Sequence, residues 1–197
     1  MRARYAPSML ALLLLASAAH ASDAVRSEAF MKQPLVGWPL LEVRGGLDAS
    51  TMGPHPVICA EVSPHKYVAV EACGTGAGFL YPSAQDEMAH FRAEASVPVL
   101  DQGRTDLTLQ VGIGFAEIQV GEDTPGFLFG PAQSADQRAG AGAEASGSLK
   151  ARAWVHERVY LTGELSGGAA CIPSAPTVLE SSGPVVPFGM LTVGAGF

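Results

Sequence analysis

The chain has 197 residues, enough for one domain with a substantial interior and too few to expect two. Its formal net charge of -7 excludes the basic surface that phosphate neutralisation requires, so nucleic acid is not an expected partner. It is nevertheless 48% hydrophobic, with every apolar stretch after the first 21 residues broken by Gly, Pro or a charge. A protein of this kind that enters a membrane does so with strands, not helices.

Residues 1–21 read as a secretory signal peptide. Arg2 and Arg4 supply the charged start, Met9 to Leu15 the apolar stretch, and Ala19-His20-Ala21 a small-residue cleavage site. An uncleaved anchor is the competing reading, but the apolar stretch is well short of the roughly 20 residues a spanning helix needs. Cleavage removes two positive charges and takes the net charge from -7 to -9. A short segment, 22–37, precedes a single β domain over 38–197.

Within that domain a period of two recurs from end to end. Residues 39–48 set Leu41, Val43, Gly45 and Leu47 against Glu42, Arg44 and Asp48. Residues 57–62 set Ile58, Ala60 and Val62 against Cys59 and Glu61, and residues 66–73 set Val68, Val70 and Ala72 against Glu71 and Cys73. In 88–99, Ala89, Phe91, Ala93, Ala95 and Val97 alternate with His90, Arg92, Glu94 and Ser96. The clearest segment is 104–115, where Leu107, Leu109, Val111, Ile113 and Phe115 share one face, with Asp106, Thr108 and Gln110 on the other. Its length matches the 9–11 or so residues of a tilted membrane-spanning strand. Residues 139–155 set alanines, Leu149 and Val155 against Glu144, Lys150 and Arg152; 158–165 set Val159, Leu161 and Leu165 against Arg158, Tyr160 and Glu164. The last strand, 188–197, ends on Phe197 in phase with Leu191, Val193 and Ala195. The total is eight strands, an even number.

The connections alternate in length. Tight polar turns are predicted at 63–66, 100–103 and 156–157, all at one end of the sheet. Long connections are predicted at 49–56, 74–87, 121–137 and 166–187, all at the other. Period two alone does not say whether the apolar face meets a core or lipid. The export signal, the alternating connections, the even strand count and the terminal aromatic favour lipid.

With these features the chain resembles the small bacterial outer-membrane proteins of the OmpA and OmpX type. The resemblance implies an all-β fold, an eight-stranded antiparallel up-and-down transmembrane β-barrel, with outer-membrane lipid around it. It also implies that Phe197, with Ala195, Val193 and Leu191 at alternate positions before it, is the signal read by the barrel-assembly machinery. Related proteins often carry further aromatics in that strand, where this one has Ala and Val. Trp38 fits a periplasmic aromatic girdle, whereas Tyr67 and Trp154 have lumenal parity. Phe79, Tyr81, Phe127, Leu128 and Phe129 make the long connections more apolar than solvated loops. The peptidoglycan anchoring of longer OmpA-type relatives is not expected.

A barrel of this kind turns the polar face into a lumen. Glu42, Arg44, Glu61, Glu71, Arg92, Glu94, Asp106, Glu144, Lys150, Arg152, Arg158 and Glu164 then form an interior charge network. Paired charges are tolerable in a narrow interior and isolated ones are not. Eight strands enclose a space that side chains can fill, which predicts a plugged barrel and no open pore.

Chemistry-bearing groups are sparse. His90, with Ser83 and Asp86 or Glu87 nearby in sequence, is the one Ser/His/acid group that can be assembled, and no recognisable lipid-enzyme motif surrounds it. Closely spaced glycines at 73–78 lack the following helix and Lys-Ser/Thr of a phosphate loop. No catalytic residue, cofactor or metal ligand set is predicted, and the cysteine spacing matches no zinc site. Cys59 and Cys73 flank the first tight turn with equal parity and face each other if Val62 pairs with Val70; a disulfide and free lumenal thiols both fit. Cys171 falls in the last long connection.

The expectation is a structural or interaction protein of the outer membrane that binds an unknown extracellular ligand or surface partner through its long loops. Two alternatives have different signatures: a soluble exported barrel holding a small apolar ligand, and a barrel enzyme acting on lipid acyl groups.

Overall fold

The alternating segments all form strands. The computed structural model describes residues 40–76, 86–121 and 127–197. The predicted signal peptide, the 22–37 segment, Trp38, Phe79, Tyr81 and Ser83 lie outside the described residues. The strands are β1 (Leu40–Ser50), β2 (Gly53–His65), β3 (Val68–Gly74), β4 (Glu87–Asp101), β5 (Thr105–Gln119), β6 (Ala139–His156), β7 (Val159–Cys171) and β8 (Val185–Gly196). One short helix, α1 (Ala175–Val178), lies between β7 and β8.

Each strand pairs antiparallel with its sequence neighbours, and β8 returns to β1 to close the barrel. The closing register runs from Glu42 opposite Gly196 to Ser50 opposite Phe188. Phe197 extends it by one step: its N–H and C=O each bond Leu41 at 2.9 Å. Closure gives every strand a neighbour on both sides, which is the condition for a sheet to cross hydrocarbon.

Burial decides which face is inside. In β5, Leu109, Val111 and Ile113 are 48, 59 and 71% exposed, while Gln110 between them is 1% exposed. The same inversion holds in β1, where Val43 and Leu47 point out and Glu42, Arg44 and Asp48 are buried. A soluble ligand-binding barrel requires the opposite orientation. The wall presents its apolar side chains to the surroundings, as a lipid-facing barrel does.

Two predicted connections are corrected. The first is no long loop: β1 and β2 continue to a tight turn at Thr51–Met52, with Gly53 at φ +97°. Pro54 and Pro56 argued for a loop, but β3 ends at Gly74, opposite Ile58. Both prolines therefore lie on a free edge of β2, where a missing N–H costs no ladder bond. The last connection is also shorter than predicted, because β7 runs six residues further, through Gly167 and Gly168 to Cys171. Gly168 is a packing residue there: a Cβ would stand 2.8 Å from the ring of Phe188, its register partner on β8.

The interior has two layers. Charged and hydroxylic side chains fill the part nearer Phe197. Above them lies an apolar plug that includes Val57, Met88, Ile118, Ile172, Val186 and Phe188, covered by Ala175 and Val178 of α1. At the lower end Trp154 and Tyr160 are register partners with ring centroids 4.6 Å apart, and Tyr160 is fully buried. Tyr67, given lumenal parity by the sequence, instead occupies the β2–β3 turn and is exposed.

Candidate functional site

The lower lumen holds the densest chemistry in the molecule. Alternation delivers one inward side chain every second residue from each strand, so charges distant in sequence converge at one height. Arg44 of β1 contacts four carboxylates, each on a different strand. Its partners are Glu42 of its own strand, Glu71, Glu61 at 3.0 Å and Glu164 at 2.9 Å. Lys150 crosses from β6 to pair with Glu61, with Glu164 at 3.2 Å and with Glu42 at 3.5 Å.

A second centre sits beside the first. The Arg92 Nε donates to Glu71 at 2.6 Å, and the same guanidinium lies 3.3 Å from both Glu94 and Glu144. His90 places Nδ1 2.9 Å from Glu144, with its ring against Phe188 at 4.4 Å. His90 thus marks the floor of the apolar plug and the ceiling of the charge network. Below, Arg152 stands 3.5 Å from Glu42 and 3.8 Å from both Glu61 and Asp106, near the lower mouth.

Neutral polar groups complete the lumen. Gln110 donates to Ser96 at 3.2 Å and accepts from Ser148 at 3.1 Å, and the Thr162 hydroxyl donates to Glu42 at 3.3 Å. Glu42, Glu61 and Glu164 bring carboxylate oxygens within 4.8 Å of one another, as do Glu71, Glu94 and Glu164. Arg44, Lys150 and Arg92 occupy the spaces around these carboxylates, so the protein supplies its own counter-charges. These ion pairs link side chains of β1, β2, β3, β4, β6 and β7 across the lumen.

Comparison with solved structures bears on the fold. Neisserial surface protein A (NspA) is similar over 80% of this chain and 94% of its own, at 13% identity and a TM-score of 0.51. The chain has the fold of the small eight-stranded outer-membrane barrels. Ail, the attachment invasion locus protein of Yersinia pestis, matches over 81% of this chain and 96% of its own, at 9% identity and a TM-score of 0.40. Ail in complex with the heparin analogue sucrose octasulfate matches at a TM-score of 0.39. No protein-family model matches, and no curated protein matches.

Within this barrel the predicted site residues separate into those the fold gathers and those it does not. Glu42, Arg44, Glu61, Glu71, Arg92, Glu94, Glu144, Lys150 and Glu164 are buried in the lumen, with Asp106 and Arg152 partly buried at its lower mouth. Arg158 is a correction. Strand β7 starts at Val159, so Arg158 sits in the turn below the wall and is exposed. Asp48 was not assigned to the network although it shares the polar phase of β1, and the structure buries it near the His90 level. The apolar plug was also missed; its signal is the switch to Met88, Ile118 and Phe188 at inward positions.

Of the Ser/His/acid group, Ser83 lies outside the described residues, and the other members each have partners of their own. His90 is fully buried on Glu144, Asp86 accepts the Gly121 N–H at 3.0 Å, and Glu87 takes the Thr75 hydroxyl. Cys59 and Cys73 are register partners, 4.1 Å apart at Cα and joined by a disulfide that faces the lumen. Cys171 is corrected from loop to strand: it is the last residue of β7, outward in phase, exposed and free. Leu191, Val193 and Ala195 lie on the outward face of β8, Phe197 follows in the same phase, and all four are exposed.

Proposed function

We propose that the protein is exported by residues 1–21 and resides in the outer membrane as a structural or interaction protein without catalytic activity. Its plugged barrel is a rigid mount for the connections at the upper end, which meet an extracellular ligand or surface partner. The lower end, with its tight turns and Phe197, faces the periplasm, and Phe197, Ala195, Val193 and Leu191 are read by the barrel-assembly machinery.

The observation that carries this reading is the closed barrel whose apolar side chains face outward while its interior is filled. Lipid-facing Ile113 and Val111 suit a bilayer. The charge network below and the plug of Phe188, Ile118 and Ile172 above leave the interior to side chains, which supports mounting and argues against conduction. Planar-bilayer recording of the purified protein tests it. The expected trace shows insertion without steady channel conductance; large, steady steps contradict the plug.

A further inference from the structure

The outer wall carries a feature that the charge network leaves unexplained. Phe91 and Phe115 are register partners on the outward face of β4 and β5, with rings 5.0 Å apart and 18° from parallel. Two further rings reach them from the β5–β6 connection. Phe127 stands steeply inclined to both, with ring centroids 5.2 Å from Phe91 and 5.0 Å from Phe115, and the Phe129 centroid is 5.5 Å from that of Phe115. The result is a ridge of four phenylalanines outside the barrel, on which Phe127 is 44% and Phe129 59% exposed.

The backbone fixes this segment to the wall. Pairing of β6 with β7 stops at Ala143, opposite Cys171, so β6 has a free edge above that point. There the Ala141 N–H donates to the Leu128 carbonyl at 2.9 Å. Nearby, the Gln137 side chain donates to the Ala139 carbonyl at 2.7 Å. Ala139 and Ala141 have outward phase yet are fully buried, and the described part of the connection, 127–138, meets them at Leu128 and Gln137. Their small side chains let it lie close.

Height along the wall identifies the surroundings. From Leu107 to Phe115 the outward face of β5 rises eight residues, about 20 Å for a tilted strand. The apolar band of a membrane barrel is roughly 25 Å tall. The next outward residue is Glu117, while inward Ile118 is fully buried, so the polarity of the wall reverses one step above Phe115. The ridge therefore stands at the upper edge of the band, the level at which aromatic side chains favour the boundary between acyl chains and headgroups.

We propose that Phe127 and Phe129 form a lipid anchor: the β5–β6 connection dips its rings into the outer leaflet, and its occupant is the acyl chains of outer-leaflet lipid. The lumen is closed to these rings because Phe188, Met88 and Ile118 already fill it at this height. The ridge is continuous with the lipid-facing wall, so the hydrocarbon that wets Ile113 reaches Phe127 and Phe129 without a break. This rests on the outer-membrane barrel reading above, and it assigns this connection to the membrane, leaving the other upper connections to a partner.

Tryptophan quenching tests the anchor in the full chain, folded into vesicles of phosphatidylcholine brominated on the acyl chains. Phe129→Trp is compared with Ile113→Trp on the wall and Ser134→Trp in the same connection, each as the increment over the parent fluorescence. The expected result is strong bromine quenching of the Ile113 and Phe129 probes, with a blue-shifted Phe129 spectrum. The Ser134 probe is expected to answer to aqueous iodide. A Phe129 probe quenched by iodide and untouched by bromine, with Ile113 still quenched by bromine, overturns the anchor and leaves the barrel standing. If the Ile113 probe also escapes bromine, the membrane-barrel reading falls with it. A Phe127→Trp variant repeats the measurement should Phe129→Trp fail to fold.

Discussion

At the residue scale, Arg44 holds the lower lumen together. Carboxylates of Glu42, Glu61, Glu71 and Glu164 share its guanidinium, and each was removed from water to reach it. Removing one partner of a buried ion pair leaves uncompensated charge and costs about 3–5 kcal/mol. Arg44→Met is therefore expected to lower unfolding stability by about that amount, measured by urea titration of the detergent-folded barrel. Arg158→Ala serves as the contrast: its side chain is exposed in the β6–β7 turn, and a change within about 0.5 kcal/mol is expected. Equal losses from the two variants contradict the network.

These two arginines also show what was legible at this scale. Parity along a strand identified Arg44 as sharing a face with Glu42, because the period of two is fixed by backbone geometry. The same parity misplaced Arg158, since alternation continues on paper past the point where pairing stops. Pairing depends on the partner strand, and one strand's pattern carries no signal for it. For Cys59 and Cys73 the sequence offered equal parity and a facing register only if Val62 pairs with Val70, and left disulfide and free thiols both open; the observed Val62–Val70 pairing supplies the missing condition.

At the element scale, β8 closes the sheet by pairing with both β7 and β1. Leu191, Val193, Ala195 and Phe197 offer a continuous apolar edge to lipid, and the Phe197 backbone ties to Leu41 in both directions. Deleting Phe197 is expected to reduce the folded fraction in the outer membrane far more than deleting exposed Ser182 from the β7–β8 connection. Heat-shift gels of isolated envelopes measure both, and equal folded fractions would remove Phe197 from the assembly signal. Element ends were the least legible feature. Pro54, Pro56, Gly167 and Gly168 are turn-formers by composition, yet all four lie in strands. A free edge accommodates the two prolines, and close approach of the Ala145 backbone and the Phe188 ring accounts for Gly168; both are tertiary facts.

At the scale of the whole molecule, the sequence pattern was compatible with two opposite proteins. Alternation in β5 fits a soluble barrel with Leu109 and Val111 inside as well as a membrane barrel with Gln110 inside. Export, strand number and the resemblance to small outer-membrane barrels favoured the second, and the burial of Gln110 beneath exposed Val111 and Ile113 decides the orientation. The two-layered interior was not legible, because Met88, Ile118 and Phe188 share the inward phase with Arg92, Gln110 and Thr192. Phase gives the side of the wall and carries no information about height. The apolar residues flagged at 127–129 found their place only when the closed sheet supplied Phe91 and Phe115 beneath them.

A closed barrel set in the outer membrane with its apolar face to lipid has a physical signature that a soluble barrel lacks. Envelope fractionation followed by gel electrophoresis of unheated and boiled samples tests it most directly. The protein is expected in the outer-membrane fraction, as a compact unheated band that shifts mobility on boiling. Recovery in the soluble periplasmic or secreted fraction, with one mobility in both lanes, would contradict it.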